Sequence, residues 1–121
     1  MSIRAYKIAI LCAHALNISP RELFISKKGK ARTEISDARF ICYHFIKNET
    51  NLNLAQIARM FKKSNHTCIL YGLKQFQNLT FRNVEFQEKI FECDNAISIY
   101  NHQNRYYKLK KINQKQKNIN R

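Results

Sequence analysis

The 121 residues predict an all-α fold: a compact helical domain around a helix-turn-helix, continued by a long C-terminal helix and a basic tail. Three observations carry that expectation. Apolar residues recur at steps of three and four along the chain, the period of a helix face. One Pro and two Gly leave the ends of elements to be marked mainly by capping residues. The stretch Asn53 to Phe76 spells two short amphipathic helices joined by a tight turn, which is the layout of a helix-turn-helix.

The elements follow in order. A first helix is predicted over about Ile3 to Leu16, where Ile8, Leu11, Cys12 and Ala15 form one stripe. Ser19-Pro20-Arg21-Glu22 combines an N-cap, a Pro at the first helical position and a capping-box Glu, opening a short helix through Phe24. Ile25 to Thr33 reads as a loop around Gly29 that carries Lys27, Lys28, Lys30 and Arg32. The next helix, roughly Glu34 to Lys47, shows Ala38, Ile41, Cys42 and Phe45 on one face. Leu54, Ile57, Ala58 and Phe61 then fall at i, i+3, i+4 and i+7, behind an Asn53 cap to which Gln56 can return. After Lys62-Lys63, Ser64 is placed to cap a second helix whose first turn is Asn65-His66-Thr67-Cys68. Its Ile69, Leu73 and Phe76 form the apolar stripe, and the helix is predicted to end near Leu79.

A last long helix starts near Asn83. Its Phe86, Ile90, Cys93, Ile97 and Tyr100 alternate steps of four and three. A helix folding back on the core and a homodimer joined through a coiled-coil seam give the same pattern. From Lys108 the periodicity is lost. Residues 1–104 are therefore read as the domain and 105–121 as a disordered basic tail.

Charge narrows the function. With 22 Lys+Arg against 8 Asp+Glu the net charge is +14, which points to a polyanionic partner. Residues 1–80 carry +9, residues 81–100 carry −2 and residues 101–121 carry +7, so the excess sits on the helix-turn-helix half and the tail. The four cysteines read as reduced thiols of a cytoplasmic protein, three of them on apolar stripes. The pairs Cys12/His14, Cys42/His44 and His66/Cys68 stand two apart on helices and point in nearly opposite directions, so no metal site is predicted. Arg4 and Lys7 ahead of IAILCAHAL imitate a signal peptide, yet the helical stripe and His14 argue for a retained first helix. That run is also too short to cross a bilayer. Asp37 and Asp94 have no evident catalytic partners and no His stands in a nucleophile arrangement, so the chain does not read as an enzyme.

The helix-turn-helix resembles the C-terminal DNA-binding domain of the bacterial replication initiator DnaA family. That signature runs Leu-x-x-Ile-x-x-x-Phe, a short turn, then Asp-His-Thr-Thr-Val. Here it reads Leu54-Ala55-Gln56-Ile57-Ala58-Arg59-Met60-Phe61, Lys62-Lys63-Ser64, then Asn65-His66-Thr67-Cys68-Ile69. Ile18 to Phe24 and the basic loop resemble the family's lead-in, and the resemblance covers roughly Ile3 to Ile97. It implies a TrpR-like fold and duplex DNA as the partner. Asn65, His66, Thr67 and Ala55 would touch bases, and the start of the second helix would enter the major groove. Lys28, Lys30 and Arg32 would lie at the minor groove. Arg39, Lys47, Leu54, Lys62, Lys63, Ser64, Cys68 and Lys74 would line the backbone.

Helical geometry supports the same face: with Ile69 at the centre of the buried stripe, Thr67, Tyr71, Lys74 and Asn78 point outward, whereas Asn65 and His66 project nearer the buried side. The ATPase module that precedes this domain in the family has no counterpart here, and no Gly-rich phosphate loop occurs. The expectation is thus a stand-alone, site-specific DNA-binding protein of the nucleoid that needs no nucleotide, cofactor or membrane. Asn65 in place of Asp, Cys68 in place of Thr, and Lys62-Lys63 in place of a Gly pair suggest that its target differs from the family's. Charge-only binding of RNA or nucleoid DNA, and a protein adaptor working through the last helix, are the competing readings.

Overall fold

A computed structural model describes residues 3–25 and 33–119, with side chains described as far as Gln103. The described residues form six helices: α1 (Ile3–Ala15), α2 (Pro20–Phe24), α3 (Thr33–Glu49), α4 (Leu54–Met60), α5 (Thr67–Arg82) and α6 (Val84–Ile119). All regular structure among the described residues is helical. The all-α expectation holds, and five of the six helices start within a residue of where capping residues and periodicity place them.

The endings are local chemistry. Asn17 takes a left-handed φ of 57°, which Asn tolerates better than most residues, and the Ile18 N–H reaches back to the Ala13 carbonyl at 2.9 Å. At α2 the predicted capping box does not form. The Glu22 N–H donates to the Ser19 carbonyl at 2.9 Å, so the amide that the Ser19 hydroxyl would have accepted is already used. Pro20 alone marks the start of that helix, as its fixed φ allows.

Helix α3 is the hub and packs against the other five. Its Ala38, Ile41, Cys42 and Phe45 are buried as their spacing predicts, together with Tyr43 and Ile46. The Tyr43 ring stands edge-on to Phe61, with centroids 4.9 Å apart. On its other side α5 comes so close that a Cβ on Gly72 would lie 2.5 Å and 2.7 Å from two Tyr43 ring carbons. Glycine is required there for close approach rather than for backbone freedom. Phe24 packs between Tyr6 and Phe61, pinning α2 onto α1 and the end of α4.

The apolar pattern of α6 is resolved in favour of the core. Phe86, Cys93 and Ile97 are buried, Ile90 packs beside them, and α6 lies along α1. The seam that also suited a homodimer is therefore occupied within one chain. Ionic contacts lock the arrangement: Lys89 meets Asp37 on α3 at 3.3 Å, and Arg4 bridges Glu49 and Asn101. Beyond the domain α6 continues as helix to Ile119, where the sequence predicts disorder from residue 105. No Gly or Pro interrupts it, and extending an anchored helix needs no new nucleus.

Cys12, Cys42 and Cys93, on α1, α3 and α6, are buried, and Cys68 is exposed; none is in a disulfide. Thiol-to-thiol hydrogen bonding and burial push Cys12 and Cys93 far above the ordinary thiol range. These sulfurs stay protonated and act as small apolar groups. Among the described residues, no three His, Cys, Asp or Glu side chains gather as a metal site, and no helix is long and apolar enough to cross a membrane.

Candidate nucleic-acid interface

The first helix of the pair is set by its own residues. Asn53 Oδ1 accepts the Gln56 N–H at 2.9 Å, and Gln56 Oε1 accepts the Asn53 N–H at 2.8 Å, completing the predicted capping box. Leu54 is thereby held half-buried and Ala55 exposed in the first turn of α4, while Ile57, Ala58 and Phe61 enter the core.

The turn carries one strained residue. Lys62 has φ 57°, its N–H donates to Arg59 O at 3.1 Å, and the Lys63 N–H donates to Ala58 O at 2.8 Å. This is a Schellman ending, whose left-handed position is usually glycine. The exposed Lys62 ammonium is therefore presented on a backbone that disfavours lysine by about 1–2 kcal/mol.

Helix α5 begins at Thr67, two residues later than the sequence predicts. Ser64 is not its cap. The N-cap position is His66, which makes no side-chain capping bond, and Asn65 just before it accepts the Thr67 N–H through Oδ1 at 2.9 Å. Asn65 and His66 therefore precede the helix, and both are exposed instead of leaning toward the buried side. With Oδ1 committed to Thr67, Asn65 keeps its Nδ2 protons for a partner, so bidentate pairing with adenine would make Oδ1 serve both base and helix.

From Thr67 on, the expected division of faces holds. Ile69 and Phe76 are buried, Leu73 is half-buried, and Thr67, Cys68, Tyr71, Lys74 and Asn78 are exposed. Tyr71 stands one turn beyond Thr67 and is 59% exposed, with its ring edge-on to Phe40 at 6.1 Å. It belongs with the candidate contacts, as its i+4 spacing from Thr67 already indicates. Lys47 is exposed at the end of α3, and Lys63 half-exposed in the turn.

One expectation changes. Arg39 is buried, and its guanidinium donates to the carbonyls of Leu23 at 3.0 Å, Glu22 at 3.0 Å and Ile25 at 3.2 Å. It caps the C-terminal end of α2, where orphan carbonyls and the negative end of the helix favour a cation. Those three bonds turn it inward, away from the phosphate role assigned to it. Lys28, Lys30 and Arg32 lie outside the described residues.

Residues 6–75 match the family model described as the bacterial DnaA protein helix-turn-helix. The chain belongs to that family. Its relatives include the chromosomal replication initiator protein DnaA of Picosynechococcus sp., 28% identical over 94 residues, which span 78% of this chain and 20% of the relative. The DnaA of Sulfurimonas denitrificans is 33% identical over 86 residues, spanning 71% and 19%. That of Campylobacter fetus is 28% identical over 87 residues, spanning 71% and 19%. The chain thus spans about a fifth of the length of the DnaA proteins it matches.

Proposed function

We propose that this DnaA-type helix-turn-helix binds duplex DNA site-specifically, with the first turn of α5 in the major groove, at origin-like or regulatory sites of the nucleoid. The observation that carries the reading is the exposed run Ser64 to Cys68, held at the start of a helix whose Ile69 and Phe76 are anchored in the core. His66 can donate to guanine N7 or O6, the Thr67 methyl can meet a thymine methyl, and the Asn65 amide can donate to a base acceptor. Ala55 adds an apolar contact, and Tyr71 and Lys74 extend the same face along the groove. Lys47, Lys62, Lys63, Ser64, Cys68 and Leu54 border the backbone, with Lys28, Lys30 and Arg32 as the candidate minor-groove group. The work is binding rather than catalysis.

Selection of bound duplexes from a random pool, followed by mobility shifts at physiological salt, tests the proposal. The expected result is a defined site whose preference flattens in Thr67→Ala, by about 1–3 kcal/mol of discrimination if the contact is good. Equal affinity for every duplex would leave only charge-driven binding and sink the site-specific reading.

A further inference from the structure

Helix α6 has a second face that the core does not use. Opposite Phe86, Cys93 and Ile97 it exposes Val84 at 68% and Phe91 at 72%. The two stand seven residues apart, two turns along one side, and with Gln87, Glu88 and Glu92 they line a shallow groove of about 330 Å³. Apolar side chains gathered in one exposed groove, unlike singly scattered ones, mark an interaction surface.

The rim of the groove has the opposite sign to the protein. Glu85, Glu88 and Glu92 fall at i, i+3 and i+7 beside the apolar pair and are exposed, and Asp94 is exposed on the other flank. These are four of the eight acidic residues in a chain of net charge +14. Lys89, the one Lys or Arg between residues 83 and 104, is turned inward to Asp37 on α3 at 3.3 Å. Carboxylates in this position repel nucleic acid. They also repel a second copy, because a two-fold contact centred on the groove sets the glutamates of one chain beside those of the other. The fitting occupant is therefore apolar and cationic. With all regular structure among the described residues helical, no strand edge is offered, and the exposed side of a helix accepts another helix.

We propose that the outer face of α6 docks a basic amphipathic helix of a partner protein. Apolar residues of that helix at i, i+3 or i+4 and i+7 would pack on Val84 and Phe91, and its Lys or Arg would meet Glu85, Glu88 and Glu92. The groove starts just after the C-terminal end of α5, roughly 22 Å along that helix from Thr67, so docking leaves the exposed run Ser64 to Cys68 open.

Fluorescence anisotropy of the full chain with two labelled peptides tests this without DNA, and so independently of the DNA-binding proposal. Each probe is an amphipathic helix of about 18 residues, five turns, with leucine on one face and either lysine or glutamate on the other. The lysine peptide should bind one-to-one despite the protein's positive charge, and the glutamate peptide should not. Phe91→Ser should weaken binding about tenfold or more, as loss of a central anchor does. Glu88→Lys with Glu92→Lys should weaken it comparably and flatten its dependence on salt between about 0.05 and 0.5 M. Both variants change exposed residues and should keep the parent's helical circular dichroism. A lysine peptide that does not bind, or that binds parent and variants alike, would overturn the proposal. So would sedimentation showing that the parent self-associates and Phe91→Ser does not, since the occupant would then be a second copy.

Discussion

Asn65 accepts the Thr67 backbone N–H through Oδ1 at 2.9 Å, so one side chain both supports the first turn of α5 and stands among the candidate base contacts. The proposed function therefore predicts that stability and recognition are coupled at this position. Asn65→Ala should cost about 1 kcal/mol through the lost hydrogen bond to the Thr67 N–H, seen in thermal unfolding. Asn65→Asp keeps the acceptor for the Thr67 N–H and places a negative charge at a helix start, which should stabilise by about 0.3–1 kcal/mol. It also removes the amide donor, so duplex selection should shift preference toward a cytosine N4 donor.

Arg39 gives the sharpest separation of a structural from a DNA-binding role. Arg39→Met keeps much of the apolar stem and deletes the donors to Leu23, Glu22 and Ile25. Leaving those carbonyls short of a partner should lower unfolding stability by about 3 kcal/mol in a denaturant titration. A pure phosphate contact would leave the midpoint where it was and weaken binding alone.

Lys62 should show the opposite trade. Lys62→Gly relieves the left-handed φ of 57° and should raise stability by about 1 kcal/mol. The same change removes one cation from the turn. Affinity should fall alike for all duplexes, and the slope of log affinity against log salt should shrink by about one.

His44 supplies a pH dependence. Its ring stacks on Phe76 at 3.9 Å, and burial holds its pKa below the ordinary 6.5. A depressed base is neutral in the folded state, so its stabilising contribution is present above pH 6.5 and declines as pH falls below that value. Unfolding measured across that range should show the decline. His44→Phe, which keeps a ring on Phe76 and cannot titrate, should diminish it.

The fold was readable where partners lie close in sequence. Asn53 and Gln56 are three residues apart, so their reciprocal cap follows from residue types alone. The same reasoning failed at Ser19 and Ser64, because each competes with a neighbouring group for one amide and only backbone geometry picks the winner. Gly72 gave no signal, because its role is set by the Tyr43 ring of another helix.

The site divides in the same way. Helical spacing places Thr67, Tyr71, Lys74 and Asn78 on one exposed face, since side-chain direction repeats every 3.6 residues whatever the surroundings. Whether a charge on such a face meets solvent depends on what packs above it. Arg39 has the residue type of a phosphate contact, yet its fourteenth to seventeenth neighbours back along the chain supply three carbonyls that turn it inward. Periodicity likewise fitted the Phe86–Ile97 stripe of α6 both to the core and to a dimer seam. Packing against α1 assigned it to the core and left Val84 and Phe91 as the free face, because burial is a property of neighbours that no local pattern contains.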